Sequence, residues 1–166
     1  MEIMVQASSQ SLYQEYSSIR TRSVSLCKPL QPEDMVVQPV VDVSPPKWHL
    51  GHTTWFFEAM ILKPFLKDYT LFHPEYAFVF NSYYEAAGAR VMRTDRGNLS
   101  RPTVDQVLEY RKYVDEAMER LFVNIDNHPE AERIRFLIEL GFNHEQQHQE
   151  LLITDIKWIL GHNPLL

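Results

Sequence analysis

Four long segments of this chain carry apolar residues at steps of three or four, and this spacing constrains the fold more than any other feature. The last segment shows it over the greatest length, in a seam that consists of Ile134, Leu137, Gly141, His144, His148, Leu151 and Asp155. Such steps place side chains on one face of an α-helix, where other helices can cover them. The chain has only five glycines and lacks the alternation of apolar and polar residues that half-buried strands show. We therefore predict an all-α fold.

The three earlier segments predict helices with defined ends. The first has a face made of Leu12, Tyr16, Ile19, Ser23 and Leu26, and it should end near Pro29. Ser44 and Pro45 belong to the residue types that begin helices, so a second helix should start there. A third begins at Thr103, with Gln106 three residues later as in a capping box. Four long helices with long connections and a loop-rich middle predict a four-helix bundle.

Length, charge and composition narrow the class of protein. At 166 residues the chain suits one domain, residues 1–166. Its net charge is −6 and no basic patch stands out, which argues against a nucleic-acid partner. Cys27 is its one cysteine, which excludes an internal disulfide and fits a reducing compartment. The sequence has no secretory pattern and no run of about 20 apolar residues, so we predict a cytoplasmic protein without membrane contact.

His144 and His148 lie four residues apart on the seam, one helical turn from each other. A single inward histidine is more often a hydrogen-bonded core residue, but two imidazoles at this spacing can share a metal ion. A third ligand could come from the second helix, where His49 and His52 stand among aromatic residues. Spacing alone leaves both candidates open. Because a bound imidazole must be unprotonated, metal affinity should weaken below about pH 6.5.

The same two histidines complete the letters H-E-x-x-H, a signature of zinc proteases, but the chain does not supply the rest of such a site. Leu151 and Thr154 stand where one protease class has a glycine and a third histidine. Another class takes a glutamate from a later helix, and no glutamate follows Glu150. Glu145 lies about 100° from the seam. We therefore expect Glu145 to contact a neighbouring helix or solvent and not to act as a hydrolytic base.

Four longer strings resemble one family of enzymes. They are VSPPKWHLGHTTWFFE, FNSYYEAAGAR, DRGNLSRPTVDQVLEYRKYVDEAM and IELGFNHEQQHQELLITDIKWIL, so the resemblance runs nearly from end to end. The family is that of the sulfoxide synthases of ergothioneine biosynthesis in bacteria and fungi. The resemblance implies a DinB-like four-helix bundle that binds non-haem iron(II). With oxygen, these enzymes join the thiol of cysteine or γ-glutamylcysteine to the imidazole of hercynine (trimethylhistidine) and form a sulfoxide.

The resemblance implies roles for six residues of this chain. The iron ligands would be His52, His144 and His148, which favours His52 over His49. Arg93 and Arg96 would hold the carboxylates of the thiol substrate, since an arginine can pair with a carboxylate through two parallel hydrogen bonds. Gln147 would approach the betaine. Three imidazoles also suit zinc or nickel, so these metals are alternatives to iron(II).

One part of the family's architecture has no counterpart in these residues. The enzymes carry a C-terminal domain like the formylglycine-generating enzyme, which supplies a catalytic tyrosine and the rest of the betaine pocket. No catalytic residue can therefore be assigned here, and we expect that domain to act as a partner in cis or in trans. The part of the pocket that lies in this chain should be walled by Trp55, Phe57, Tyr83 and Tyr84, the last two in a short helix at 81–87.

Two other functions stay open. One is that of an independent DinB-like thiol transferase or hydrolase that uses a divalent metal such as zinc. The other is that of a binding module, a bundle kept for protein contacts without a metal. The metal content of the purified protein distinguishes these alternatives.

Overall fold

Helices form all the regular secondary structure in residues 8–82 and 89–165, which are the residues that the computed structural model describes. The α-helices are α1 (Ser9–Cys27), α2 (Pro46–Phe57), α3 (Lys63–Phe65), α4 (Tyr76–Phe80), α5 (Val104–Asn124) and α6 (Ala131–Gly161). A π-helical turn at Glu58–Leu62 joins α2 to α3 without a break, and 3₁₀ turns lie at Asp34–Val36, Arg93–Asn98 and Ile125–Asn127. The predicted all-α fold is confirmed, with four long helices. The short helix predicted at 81–87 lies largely outside the described residues.

The helix ends show which local signals the fold follows. Thr103 caps α5 as predicted: its hydroxyl accepts the Gln106 N–H over 3.2 Å, and Gln106 accepts the Thr103 N–H over 2.9 Å. The second helix was predicted to start at Ser44 and Pro45, and this was wrong by a short distance. It begins at Pro46, because Pro45 precedes a proline and is held in an extended conformation with ψ of 137°.

α2 is the central helix of the bundle, and every one of its residues is buried. It packs against α1, α5 and α6 and also against α4. Trp55, Phe56 and Phe57 are at most 1% exposed. A helix that is covered on all sides must find partners for its polar groups as well, because an unpaired buried polar group is costly. The polar side chains of α2 therefore make hydrogen bonds to neighbouring helices inside the core.

A buried ion-pair network crosses the bundle beneath the histidines. Glu145, on α6, is 0% exposed and accepts hydrogen bonds from Arg20 at 3.0 Å, Arg111 at 2.9 Å and the Ser23 hydroxyl at 2.6 Å. Burial would raise the pKa of Glu145, but the two arginines lower it to about 2. Arg20 also donates to Thr54, so all four long helices share the network. The prediction that Glu145 contacts a neighbouring helix is confirmed, and solvent does not reach it.

The buried face of α6 is turned slightly from the predicted seam, since Ile138 and Glu145 are fully buried while Leu137 and His144 are only partly buried. Ile134 and Asp155 are buried as expected, but Leu151 is 44% exposed and Leu152, at 1%, takes its place in the core. Leu151 borders the pocket that also contains His144 and His148, whereas Leu152 packs in the core. Leu152 lies seven residues after Glu145 and seven before Ile159, so the period of the helix explains why it is covered and Leu151 is not.

Candidate metal centre

Three histidines converge where α2 faces α6. His52 comes from α2, and His144 and His148 project one turn apart from α6. Ring nitrogens of the three lie within 4.8 Å of one another, and the Nε2 atoms of His52 and His144 are 3.1 Å apart. The structure thus brings together the three residues that the sequence singled out as ligands. We call them the triad.

The hydrogen bond behind His52 determines which of its nitrogens can bind a metal. Its Nδ1 lies 2.6 Å from the carbonyl oxygen of Phe80. A carbonyl oxygen can only accept, so Nδ1 carries the ring proton of the neutral imidazole. Nε2, the atom that faces His144, then presents a lone pair. Metal-binding histidines commonly hold their second nitrogen in this way.

His49 lies behind His148 and is not one of the three converging residues. Its Nδ1 is 2.9 Å from Nδ1 of His148, and its Nε2 is 2.8 Å from Oδ2 of Asp155. The Ser44 backbone N–H donates to the same Asp155 oxygen over 2.9 Å. His49 is therefore a neighbour of the triad, as the resemblance implied.

The triad is held in the neutral form that metal binding needs. Burial lowers the pKa of His144 to about 4, although the nearby Glu145 raises it. Burial also lowers the pKa of His52 and of His148 far below the usual value, and repulsion from the neighbouring imidazoles adds to the effect. At neutral pH the site therefore contains three uncharged imidazoles, which are metal ligands in this state.

The donor set fits a divalent metal ion. Nitrogen ligands about 2.0–2.1 Å from one ion lie about 3 Å from each other, and the Nε2 atoms of His52 and His144 are at 3.1 Å. Two lone pairs at this distance repel each other unless a proton or a cation lies between them. In the described part of the chain, the buried Nδ1 of His144 has no hydrogen-bond partner. No hydrogen bond to Nδ1 among those residues therefore fixes the tautomer of His144, so its Nε2 can present a lone pair to a metal.

The triad lies at a pocket of about 290 Å³. Three other predicted site residues line the same pocket, namely Arg93, Arg96 and Gln147. Asp155 and Leu151 complete the side formed by α6. Glu145 does not border it, so the pocket lacks the general base that the H-E-x-x-H letters would require.

The model of the DinB superfamily matches residues 15–152. The chain belongs to the DinB superfamily. The match extends from α1 through the part of α6 that carries His144 and His148, so it includes the whole triad. No curated protein was found that matches this chain.

The two arginines of this DinB-superfamily chain differ in their surroundings. Arg96 is 6% exposed, donates to the hydroxyls of Ser44 at 2.9 Å and Ser82 at 3.0 Å, and lies 3.3 Å above the ring of Trp48. Arg93 is exposed and donates to the carbonyl of Asp42. Both place a positive charge at the pocket, but contact with a substrate carboxylate stays a prediction.

The aromatic residues around the triad are only partly those expected. Trp55 and Phe57 were predicted to wall the pocket, and this was wrong, because both are buried in the core at 1% and 0% exposure. Tyr83 and Tyr84 lie outside the described residues. Trp48, which the sequence did not single out, lines the pocket and stacks on His52 with ring centroids 4.6 Å apart. Its position four residues before His52 was the available signal, since residues at that spacing share a helix face.

None of the helices in the described ranges, 8–82 and 89–165, is both long and apolar enough to span a membrane.

Gly51 allows the Phe80 segment to approach His52. A Cβ atom at Gly51 would lie 2.1 Å from the Phe80 ring, so Gly51→Ala must displace the residue whose carbonyl binds His52. We expect the free energy of unfolding to fall by about 1–3 kcal/mol, as for other overpacked cores. Metal affinity should fall as well. Urea denaturation and zinc titration measure the two effects.

Gly161→Ala is the matched control for this substitution. A Cβ atom at Gly161 meets no other atom within 4 Å, so this variant reports only the helix preference of alanine, about 1 kcal/mol or less. Equal unfolding midpoints for the two variants would show that the Phe80 contact does not matter.

Proposed function

We propose that this chain is the iron(II)-binding domain of a sulfoxide synthase that joins hercynine to a thiol in ergothioneine biosynthesis. The observation that supports the proposal most is the gathering of six side chains around one pocket: His52, His144, His148, Arg93, Arg96 and Gln147. They come from three separate segments of the chain. They are also the six residues for which the resemblance to that family implies metal or substrate contacts. A chance likeness of sequence strings gives no reason for these six to meet.

In this proposal the metal is held by His52, His144 and His148. The hydrogen bonds of His52 and the low pKa of each imidazole keep ring nitrogens unprotonated for it. Iron(II) bound there would supply the oxygen-dependent chemistry, and zinc or nickel are alternatives because three imidazoles suit each of these metals. The chain's own residues bind and orient the other reactants.

Arg93 and Arg96 would bind the carboxylates of cysteine or γ-glutamylcysteine. Arg96 is held by Ser44, Ser82 and the face of Trp48, so an incoming carboxylate meets a cation that is already oriented. Arg93 is exposed and suits a carboxylate that arrives from solvent. Gln147, exposed on α6 next to His148, would approach the betaine of hercynine.

The proposal includes a C-terminal catalytic domain as a partner in cis or in trans. In this proposal, a catalytic phenol of the kind found in the family's second domain comes from that partner. The other partners are hercynine, the thiol and oxygen. We propose that this chemistry takes place in the cytoplasm.

The proposal predicts that the purified chain binds about one iron(II) per molecule but forms no sulfoxide alone. The assay combines iron-loaded protein with hercynine, cysteine or γ-glutamylcysteine, and oxygen, with mass spectrometry of the products. Addition of the family's C-terminal domain should give product. Because a short tether supplies an effective concentration of about 1 mM, the separate domain is needed at a high concentration. Sulfoxide formed by the chain alone at about 1 s⁻¹ or more, or a failure to bind iron, would contradict the proposal.

A second candidate function is that of a stand-alone DinB-superfamily thiol transferase or hydrolase that uses zinc or nickel. Its support is that three imidazoles do not select iron over these metals. The thiol would come from a substrate, since burial raises the pKa of Cys27 to about 11 and makes it a poor nucleophile. Stoichiometric zinc after purification, without iron binding under anaerobic conditions, would favour this function.

A further inference from the structure

A chain of hydrogen bonds reaches His148 through its Nδ1 atom. The Ser44 N–H donates to Oδ2 of Asp155 over 2.9 Å, Nε2 of His49 lies 2.8 Å from the same oxygen, and Nδ1 of His49 lies 2.9 Å from Nδ1 of His148. His49 and Asp155 are only 4% and 7% exposed. In the function proposed above, neither residue binds metal or substrate. The proposed function therefore does not explain why His49 and Asp155 are buried next to a triad residue.

The chemistry of these groups gives the chain of hydrogen bonds one direction. An ionised carboxylate can only accept, so Nε2 of His49 must donate its proton to Asp155. A neutral imidazole carries one proton, so Nδ1 of His49 is left as an acceptor. Nδ1 of His148 must then be the donor. The single proton of His148 is therefore on Nδ1, and Nε2 presents a lone pair.

We propose that Asp155 and His49 are positioning residues that commit His148 to metal binding through Nε2. This inference rests on the proposed metal site and deepens it. His52 reaches the same state by donating from Nδ1 to the Phe80 carbonyl, so two of the three triad residues are preset before a metal arrives. Partners of this kind fix the tautomer and the orientation of a ligand, and their loss typically lowers metal affinity by about 10–100-fold.

A purely structural role makes a different prediction. The same hydrogen bonds attach the segment before α2 to α6, so their loss could lower stability without any effect on the proton of His148. The position of that proton therefore separates the two roles. Nitrogen NMR of histidine reports it directly.

The first measurement uses the unaltered, metal-free chain labelled with ¹⁵N-histidine. We expect His148 to be protonated at Nδ1 and unprotonated at Nε2. A proton on Nε2 would overturn the inference. Because no metal is present, this result tests the hydrogen-bond chain separately from the proposed function. Absence of zinc binding to the same protein would overturn the metal site and not the direction of the chain.

The second measurement uses substitutions at the two positioning residues. His49→Phe keeps the ring but removes the acceptor, so His148 should shift towards the Nε2-protonated form and the zinc dissociation constant should rise about 10–100-fold. Asp155→Leu removes the acceptor at the other end of the chain of hydrogen bonds, so it should also shift the His148 tautomer and weaken zinc binding. His162→Ala, at an exposed histidine just beyond the end of α6, is the control and should change neither.

A rescue variant keeps the test decisive if His49→Phe does not fold. His49→Gln offers one acceptor oxygen and one donor nitrogen, so it can restore the direction of the chain. We expect it to return His148 to the Nδ1-protonated form and to recover zinc affinity. An unchanged His148 tautomer in folded His49→Phe, or a Gln variant that folds without restoring the tautomer, would overturn the inference.

Discussion

Substitution of Glu145 by glutamine should lower the free energy of unfolding by about 3–5 kcal/mol, because it removes the charge that two buried guanidinium groups share. Arg20 and Arg111 are each 3% exposed and donate to different oxygens of Glu145. A glutamine can present only one oxygen, and its NH₂ group would face an arginine. Arg20 keeps its pair with Asp115 at 2.7 Å, so most of the cost should come from Arg111. Urea denaturation measures the change.

Glu116→Gln is the control for this prediction. It removes the same charge from an i,i+4 pair with Lys112, in which the two side chains are 57% and 78% exposed. Such exposed pairs contribute about 0.5 kcal/mol or less. Similar losses in the two variants would show that burial does not strengthen the Glu145 network.

In the folded fraction of Glu145→Gln, the metal stoichiometry should not change. Metal-dependent peptide cleavage that is abolished by this substitution would revive the protease hypothesis.

The network should also give the bundle a defined sensitivity to acid. The pKa of Glu145 is about 2 in the folded chain, against about 4.3 for an unperturbed glutamate. Because the pKa is lower in the folded chain, Glu145 stabilises the fold fully at pH values above its pKa in the unfolded chain. This stabilisation is lost as the pH falls from about 4.3 towards 2. The unfolding midpoint of Glu145→Gln should therefore approach that of the unaltered protein over this range.

Simultaneous replacement of His144 and His148 by alanine should abolish metal binding while the bundle stays folded. Sites with four protein ligands bind zinc with about 10–16 kcal/mol, so the loss of two ligands should raise the dissociation constant at least about 1,000-fold. Both side chains are only partly buried at the pocket, so their removal leaves the core in place. Elemental analysis and isothermal titration with zinc give the stoichiometry and the affinity.

His162→Ala is the control for the double substitution. His162 is an exposed histidine just beyond the end of α6, and its loss should leave the metal content unchanged. A double variant that retains one metal per chain would disprove the triad.

The pH dependence of metal binding follows from the burial of the triad. Because burial brings the pKa of His144 to about 4, protons should compete with a metal in the folded chain near that pH, lower than the value of about 6.5 expected for an exposed histidine. The same shift destabilises the fold in acid, since the unfolded histidines bind protons that the folded ones exclude. Above about pH 6.5 the buried histidines do not lower the free energy of unfolding, and below it they lower this free energy further as the pH decreases.

The sequence predicted the outer helices well because each has one covered face. α5 shows this most clearly, since the spacing of its buried residues and the capping pair Thr103 and Gln106 agree with the structure. α2 could not be treated in this way. It is covered on all sides, so its sequence does not alternate between buried and exposed positions. Spacing could therefore not choose between His49 and His52.

Interactions between distant segments explain the rest of what the sequence did not predict. The depth of Glu145 depends on Arg20, which lies 125 residues earlier, and no local pattern reports such a pairing. Asp155 stood on the apolar seam, where an acidic residue needs a partner, and this was a usable signal. The partner, His49, lies 106 residues earlier on the central helix and could be found only in three dimensions.

The complete burial of α2 ties the lifetime of the candidate site to that of the whole bundle. Backbone amides of a helix enclosed on every side exchange their hydrogens with solvent only when the entire domain opens. His52 lies on this helix, so the triad cannot come apart through local fraying. A destabilising core substitution that leaves the partners of the triad in place would therefore reduce the number of molecules that possess a site, while each molecule that remains folded would keep its full affinity.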